Sequence, residues 1–183
     1  MSLIDELISD FEHTQGDSIN QTVYRVHSLK WAYAPLSGDG SKSRGGRFNP
    51  KGQAALYTCI DQFTAMYESK AAGDGITLID PVVLLSYTAT CDRVLNAVDH
   101  PDTRAYFSDG WLLPNSQRRG WTLFERARQS RVNALIVPSY TKSKGKNVVF
   151  LNWSADTVKV HDPDGSLRNT YGDCFDQFDS KPQ

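Results

Sequence analysis

Three side chains and one loop carry most of the chemical potential of this sequence. The loop runs Ala34-Pro35-Leu36-Ser37-Gly38-Asp39-Gly40-Ser41-Lys42-Ser43-Arg44-Gly45-Gly46-Arg47. Gly45 and Gly46 permit positive φ and close backbone approach, while Ser41, Ser43, Arg44 and Arg47 offer hydroxyl and guanidinium donors. Together they suit an anion with several oxygens, such as a pyrophosphate. The competing reading is a polar, solvated loop. Glu68 directly follows Phe63, Met66 and Tyr67 in a helix starting at Asp61, and is read either as a solvated surface charge or as a catalytic carboxylate. Arg25 interrupts an apolar strand. It either points outward, or points inward and needs an anionic partner. Ser139 follows Pro138, which stops a strand, so its hydroxyl sits at a strand end. With no GxSxG elbow it reads as a turn serine and not as an acyl-transfer nucleophile.

The elements that must hold these groups follow from periodicity. Leu3, Ile4, Leu7, Ile8 and Phe11 share one helical face, and Ser2 is placed to cap it, predicting a helix over 3–11. A polar linker, 13–21, leads to a strand at 22–26. Four glycines, three serines and a proline exclude a regular element over 34–47. A short strand is expected over 54–58, then a helix from Asp61 to about Ala72, ended by Gly73. Strands are expected at 82–87 and 93–95, a helix at 116–130, and strands at 134–137, 147–151 and 157–160. Asp162-Pro163-Asp164-Gly165 is a turn signal opening a polar tail. Strands and helices mix without regular βαβ alternation, which gives an α+β fold. Neither a GxGxxG nor a GxxxxGK[ST] sequence occurs, so dinucleotide-fold and P-loop fingerprints are absent.

The whole chain sets limits on function. Its 183 residues suffice for one domain with a sizeable core, and the net charge of −1 gives no general reason to expect nucleic acid or membrane as partner. The first residues, Met1-Ser2-Leu3-Ile4-Asp5-Glu6, lack the pattern of a signal peptide, and no run approaches the roughly 18 apolar residues that span a bilayer. Cys59, Cys91 and Cys174 form no CxxC pair, and His13, His27, His100 and His161 are scattered. A cytoplasmic protein with free thiols and no metal site is the expectation. Trp31, Tyr33, Phe48, Tyr57, Trp111, Trp121 and Trp153 are assigned to the core by default. Arg118, Arg119, Arg126, Arg128 and Arg131 surround one helix as a solvated face, with phosphate or partner binding as the alternative.

Taken in chain order, the residues acquire a family resemblance. Tyr24-Arg25, Pro35-Leu36-Ser37-Gly38, Gly45-Gly46-Arg47-Phe48-Asn49, Ala55-Leu56-Tyr57-Thr58 and Glu68 resemble the first half of a RES domain. Val137-Pro138-Ser139, Asn147 and Phe150-Leu151-Asn152-Trp153 resemble its second half. The similarity covers about 22–160 of a single domain, 1–183, with the helix 3–11 and the polar tail 162–183 outside it. Phe48 stands where many members carry tryptophan. The resemblance implies a β-core like that of ADP-ribosyltransferases, consumption of NAD+ by hydrolysis, phosphorolysis or transfer to a protein, and a neighbouring helix-turn-helix, Xre-like antitoxin. It maps the family's arginine, glutamate and serine to Arg25, Glu68 and Ser139. The arginine's function falls to Arg25, to Arg47 or to both. Under this reading Arg25 and Arg47 clamp the pyrophosphate beside Ser43, Gly45 and Gly46, Tyr57 packs against nicotinamide or ribose, and Ser139 hydrogen-bonds ligand or Glu68. A single carboxylate suffices because nicotinamide leaves as a neutral base and needs no acid, unlike the leaving group of ordinary glycoside hydrolysis. An RNA-cleaving toxin and a non-catalytic interaction module are the alternatives. The first lacks paired histidines and a basic charge.

Overall fold

The computed structural model describes residues 2–28, 34–71, 82–108, 114–162, 164 and 169. Its elements are α1 (Leu3–Thr14), β1 (Asp17–Ser28), α2 (Asp39–Arg44), β2 (Leu56–Cys59), α3 (Gln62–Ala71), β3 (Val82–Asn96), α4 (Thr103–Ser108), α5 (Pro114–Gln129), β4 (Ala134–Pro138), β5 (Lys146–Phe150) and β6 (Val158–Val160). The fold is α+β with a β-barrel core. Around the sheet the order is β1-β2-β5-β4-β3, and β3 pairs back onto β1, closing a ring of five strands, with β6 added to β3. All pairs are antiparallel except β3–β4.

The apolar runs of β4 and β5 are explained by burial on both faces. Ala134, Ile136, Val148 and Phe150 point into the barrel with Val23, Leu56, Tyr87 and Val94. Leu135, Val137 and Val149 point outward into a second core shared with α1, α4 and α5. Each fully buried aliphatic or phenyl side chain contributes roughly 1.5–3 kcal/mol. The predicted first helix holds. Ser2 and Asp5 form a reciprocal capping box, and Ile4, Leu7, Ile8 and Phe11 are buried.

Four expectations need correction. The segment 34–47 contains a regular element, α2, despite its glycines and serines. Its stability comes from tertiary bonds: the Ser41 hydroxyl donates to Ala55 O at 2.7 Å and accepts from Ala55 N at 2.9 Å. The polar linker's second half belongs to β1, which starts at Asp17 and pairs with β3, with only Ile19 and Val23 fully buried along it. Strands 82–87 and 93–95 are one strand, because Ala89 and Cys91 continue inward while Thr88 and Thr90 face out. Helix α4 lacks a sequence signal of its own and was not anticipated. The expected helix end at Gly73, the aromatic residues Trp31, Tyr33 and Trp111, and Cys174 lie outside the described residues.

Candidate active site

Helix α3 begins where its sequence says it should. Asp61 caps it, accepting from Thr64 N at 2.9 Å and from the Thr64 hydroxyl at 2.5 Å, and it pairs with Lys142 Nζ at 2.8 Å. Burial opposes the Asp61 charge, yet the Lys142 and Thr64 hydrogen bonds outweigh it and hold the carboxyl at about 2. The cap and the Lys142 pair tie the start of α3 to the loop after β4. Two turns later, Glu68 meets the same loop.

Glu68 is half-buried, and a single oxygen takes three donors. Oε1 accepts from the Ser139 hydroxyl at 2.5 Å, from Asn147 Nδ2 at 3.0 Å and from Tyr140 N at 3.1 Å. Oε2 carries no hydrogen bond among the described residues. Ser139 is fully buried and fixed in turn: its amide donates to Gly145 O at 2.8 Å, and its hydroxyl accepts from Lys142 N at 3.1 Å. Asn147 stands directly across the β2–β5 ladder from Cys59, whose thiol donates to Asn147 Oδ1 at 3.4 Å. Burial pushes the Cys59 thiol above its usual range, with the Glu68 charge adding to the effect. Cys59 is therefore a neutral donor.

These groups open onto a cleft of about 460 Å³. Of the residues singled out by sequence, Arg25, Ser41, Arg44, Gly45, Gly46, Arg47, Tyr57 and Glu68 line it. Ser139 stands behind Glu68 and not on the cleft wall. Ser43 lies away from the wall, exposed, with its hydroxyl on Gly40 O at 3.2 Å. Residues given no role from sequence also line the cleft, notably Tyr24, Gln117, Tyr140 and Asn147. Of these, Asn147 left a usable signal, as an amide inside the apolar run of β5.

The arginines are held by backbone carbonyls. Arg47 donates from Nη1 to Pro138 O at 3.0 Å and from Nη2 to Phe107 O at 3.1 Å, with its guanidinium carbon 4.8 Å from the Phe48 ring centre. Its buried Nε has no partner among the described residues. Burial lowers the guanidinium pKa, and the nearby Glu68 charge works against that shift. Arg25 points inward, as one of its two readings required, but its oxygens are carbonyls: Nη1 reaches Ser37 O at 3.3 Å and Pro35 O at 3.5 Å. Pro35 O also accepts from the Tyr87 hydroxyl at 2.9 Å. The Tyr57 hydroxyl donates to Asn49 Oδ1 at 2.7 Å and accepts from Phe48 N at 2.9 Å, which pins the turn after Gly46. At Gly46 a Cβ would meet that hydroxyl at 2.5 Å and Asn49 Oδ1 at 2.6 Å, so glycine is required by space. At Gly45 the requirement is a φ of 76°.

Among the described residues, no three His, Cys, Asp or Glu side chains group as a metal site needs, and no helix is long and apolar enough to cross a membrane. The fold and site together define a small β-barrel protein whose cleft presents one oriented carboxylate amid guanidinium and aromatic groups. The RES domain family model matches residues 22–169, and the chain belongs to that family. A solved relative in fold is a chain of the M. tuberculosis MbcT–MbcA toxin–antitoxin complex. It is 19% identical with a TM-score of 0.57, over 87% of this chain and 91% of that one. No curated protein matches the sequence.

Proposed function

We propose that this protein is the toxin of a toxin–antitoxin pair and cleaves the nicotinamide–ribose bond of NAD+. The observation that carries the reading is the Glu68 carboxylate, fixed through Oε1 by three donors with Oε2 left unbonded at a cleft. In the proposed reaction the bond from ribose to the pyridinium nitrogen breaks and its electron pair stays on nitrogen, so nicotinamide departs neutral. Positive charge develops on the ribose, and Glu68 offsets it. Capture by water, phosphate or a protein hydroxyl completes the step, the acceptor releasing its proton. Ser139 and Asn147 orient the carboxylate. Tyr57 and Tyr24 provide aromatic wall for the nicotinamide–ribose end, and Arg25 and Arg47 bring positive charge to the phosphates.

Membership of the RES family supports a neighbouring helix-turn-helix, Xre-like antitoxin as partner and the cytoplasm as the place of action. The chain is read as one domain, since α1 contributes Ile4, Leu7, Ile8 and Phe11 to the core that α5 also fills. The deciding experiment incubates the pure protein with NAD+ and EDTA, offering water, phosphate and cell extract as acceptors, and follows nicotinamide by liquid chromatography. Release of nicotinamide is expected. Intact NAD+ under all three conditions refutes the catalytic reading.

A further inference from the structure

Three guanidinium groups line the cleft, and two of them are engaged with the protein's own backbone. Arg47 serves Pro138 O and Phe107 O, and Arg25 serves Pro35 O and Ser37 O. The loop amides that would otherwise bind an anion are also taken. Gly45 N donates to Ser41 O at 2.8 Å, Gly46 N to Asn49 O at 2.9 Å, and Phe48 N to the Tyr57 hydroxyl. A backbone cradle for phosphate is therefore closed here.

Arg44 is different. It ends α2, is exposed, lines the cleft, and its side chain has no hydrogen bond or ion pair among the described residues. Its backbone is nonetheless fixed, by the Ser41 bonds to Ala55 on one side and the turn at Gly45 on the other. The result is a free, always-charged fork on a rigid base, suited to two oxygens of one phosphate. No salt bridge joins Arg44 to Glu68, so the cleft keeps unneutralised positive and negative groups. That distribution fits a ligand with a cationic end and an anionic remainder. Lys42 cannot substitute, because it does not line the cleft, and Lys142 is paired with Asp61.

We infer that Arg44 supplies the direct side-chain contact to phosphate in this cleft, in front of the backbone-held charges of Arg25 and Arg47, selecting a diphosphate-bearing dinucleotide over a phosphate-free nucleoside with the same pyridinium–ribose bond. The inference rests on the NAD+-cleaving reading above and assigns its specificity. The test measures nicotinamide release by the full chain from NAD+ and from nicotinamide riboside, for wild type, Arg44→Ala, Arg44→Lys and Lys42→Ala. Arg44→Ala is expected to raise KM for NAD+ about tenfold or more, the loss of a charge-assisted contact, while leaving its kcat and the riboside rates near wild type. Arg44→Lys, a point charge without the fork, falls between, and Lys42→Ala matches wild type. The wild-type KM for NAD+ rises with salt, and Arg44→Ala flattens that dependence. Unchanged KM for NAD+ in Arg44→Ala overturns the inference alone, as does an equal loss with both substrates. A wild-type protein inert toward both substrates overturns the NAD+ reading itself, and the inference with it.

Discussion

Replacing Glu68 by Gln separates charge from shape at the centre of the cleft. The three donors that converge on Oε1 (the Ser139 hydroxyl, Tyr140 N and Asn147 Nδ2) also select the orientation of the new amide. They hold its carbonyl oxygen where Oε1 was and turn the amide nitrogen to the position of Oε2. The geometry survives, and the negative charge does not. A hydrogen bond to a charged acceptor contributes roughly 1.5–3 kcal/mol and one to a neutral acceptor roughly 0.5–1.5. Removing a half-buried charge recovers part of that difference, leaving a stability loss of about 1 kcal/mol, or about 2–4 °C in Tm for a chain of this size. Turnover responds on another scale. Loss of one electrostatic contact to a developing charge costs about 10²–10³ in rate. Nicotinamide release and thermal melting, measured side by side on wild type and variant, resolve the two. A Glu68→Gln protein that melts within a few degrees of wild type yet consumes NAD+ at nearly the wild-type rate refutes the role of Glu68, and the mechanism with it.

Arg47→Ala strips the donors from Pro138 O and Phe107 O, and each buried acceptor left unpaired costs roughly 1–3 kcal/mol. A clear loss of stability in denaturant titration is expected, where a purely ligand-facing arginine gives none. Gly46→Ala drives a methyl into the Tyr57–Asn49 hydrogen bond, and such overpacking costs roughly 1–3 kcal/mol, read as a lower urea midpoint. Ser139→Ala removes one of the three anchors of Glu68 and unpairs Lys142 N, so turnover falls with kcat more affected than KM, which steady-state kinetics reports. Burial, followed by the Arg25 charge, depresses His27 from 6.5 to about 4. The fold thus favours its neutral form, and stability present above pH 6.5 is lost as pH falls toward 4. The melting difference between wild type and His27→Gln should change across that window and be level above it.

Legibility differed from element to element for physical reasons. Helix α1 and strands β4 and β5 announce themselves because burial on one or two faces dictates their apolar spacing. Strand β1 hides its first half, since backbone pairing with β3 holds residues whose side chains are mostly in water. Helix α2 hides because its bonds to Ala55 and the contacts around Asn49 come from chain that is distant in sequence. The same holds at the site. Glu68 and Ser139 stand out singly from the family resemblance, but nothing local to either shows that the serine anchors the carboxylate. That carbonyls of residues 35, 37, 107 and 138 hold Arg25 and Arg47 cannot be read from composition, because the fold brings them together. Arg44 stands among the loop's donors with no local mark to distinguish it from Arg47.

The closing of the barrel also orders events during synthesis. Strand β5 seats itself between β2 and β4, and is the last of the five ring strands to leave the ribosome. A chain interrupted before Lys146 has no Asn147 for Glu68, and it leaves β2 and β4 with open edges, the kind of surface that invites aggregation. Fragments of this protein are therefore expected to lack the anchored carboxylate and to aggregate. Only a completed ring arms the cleft.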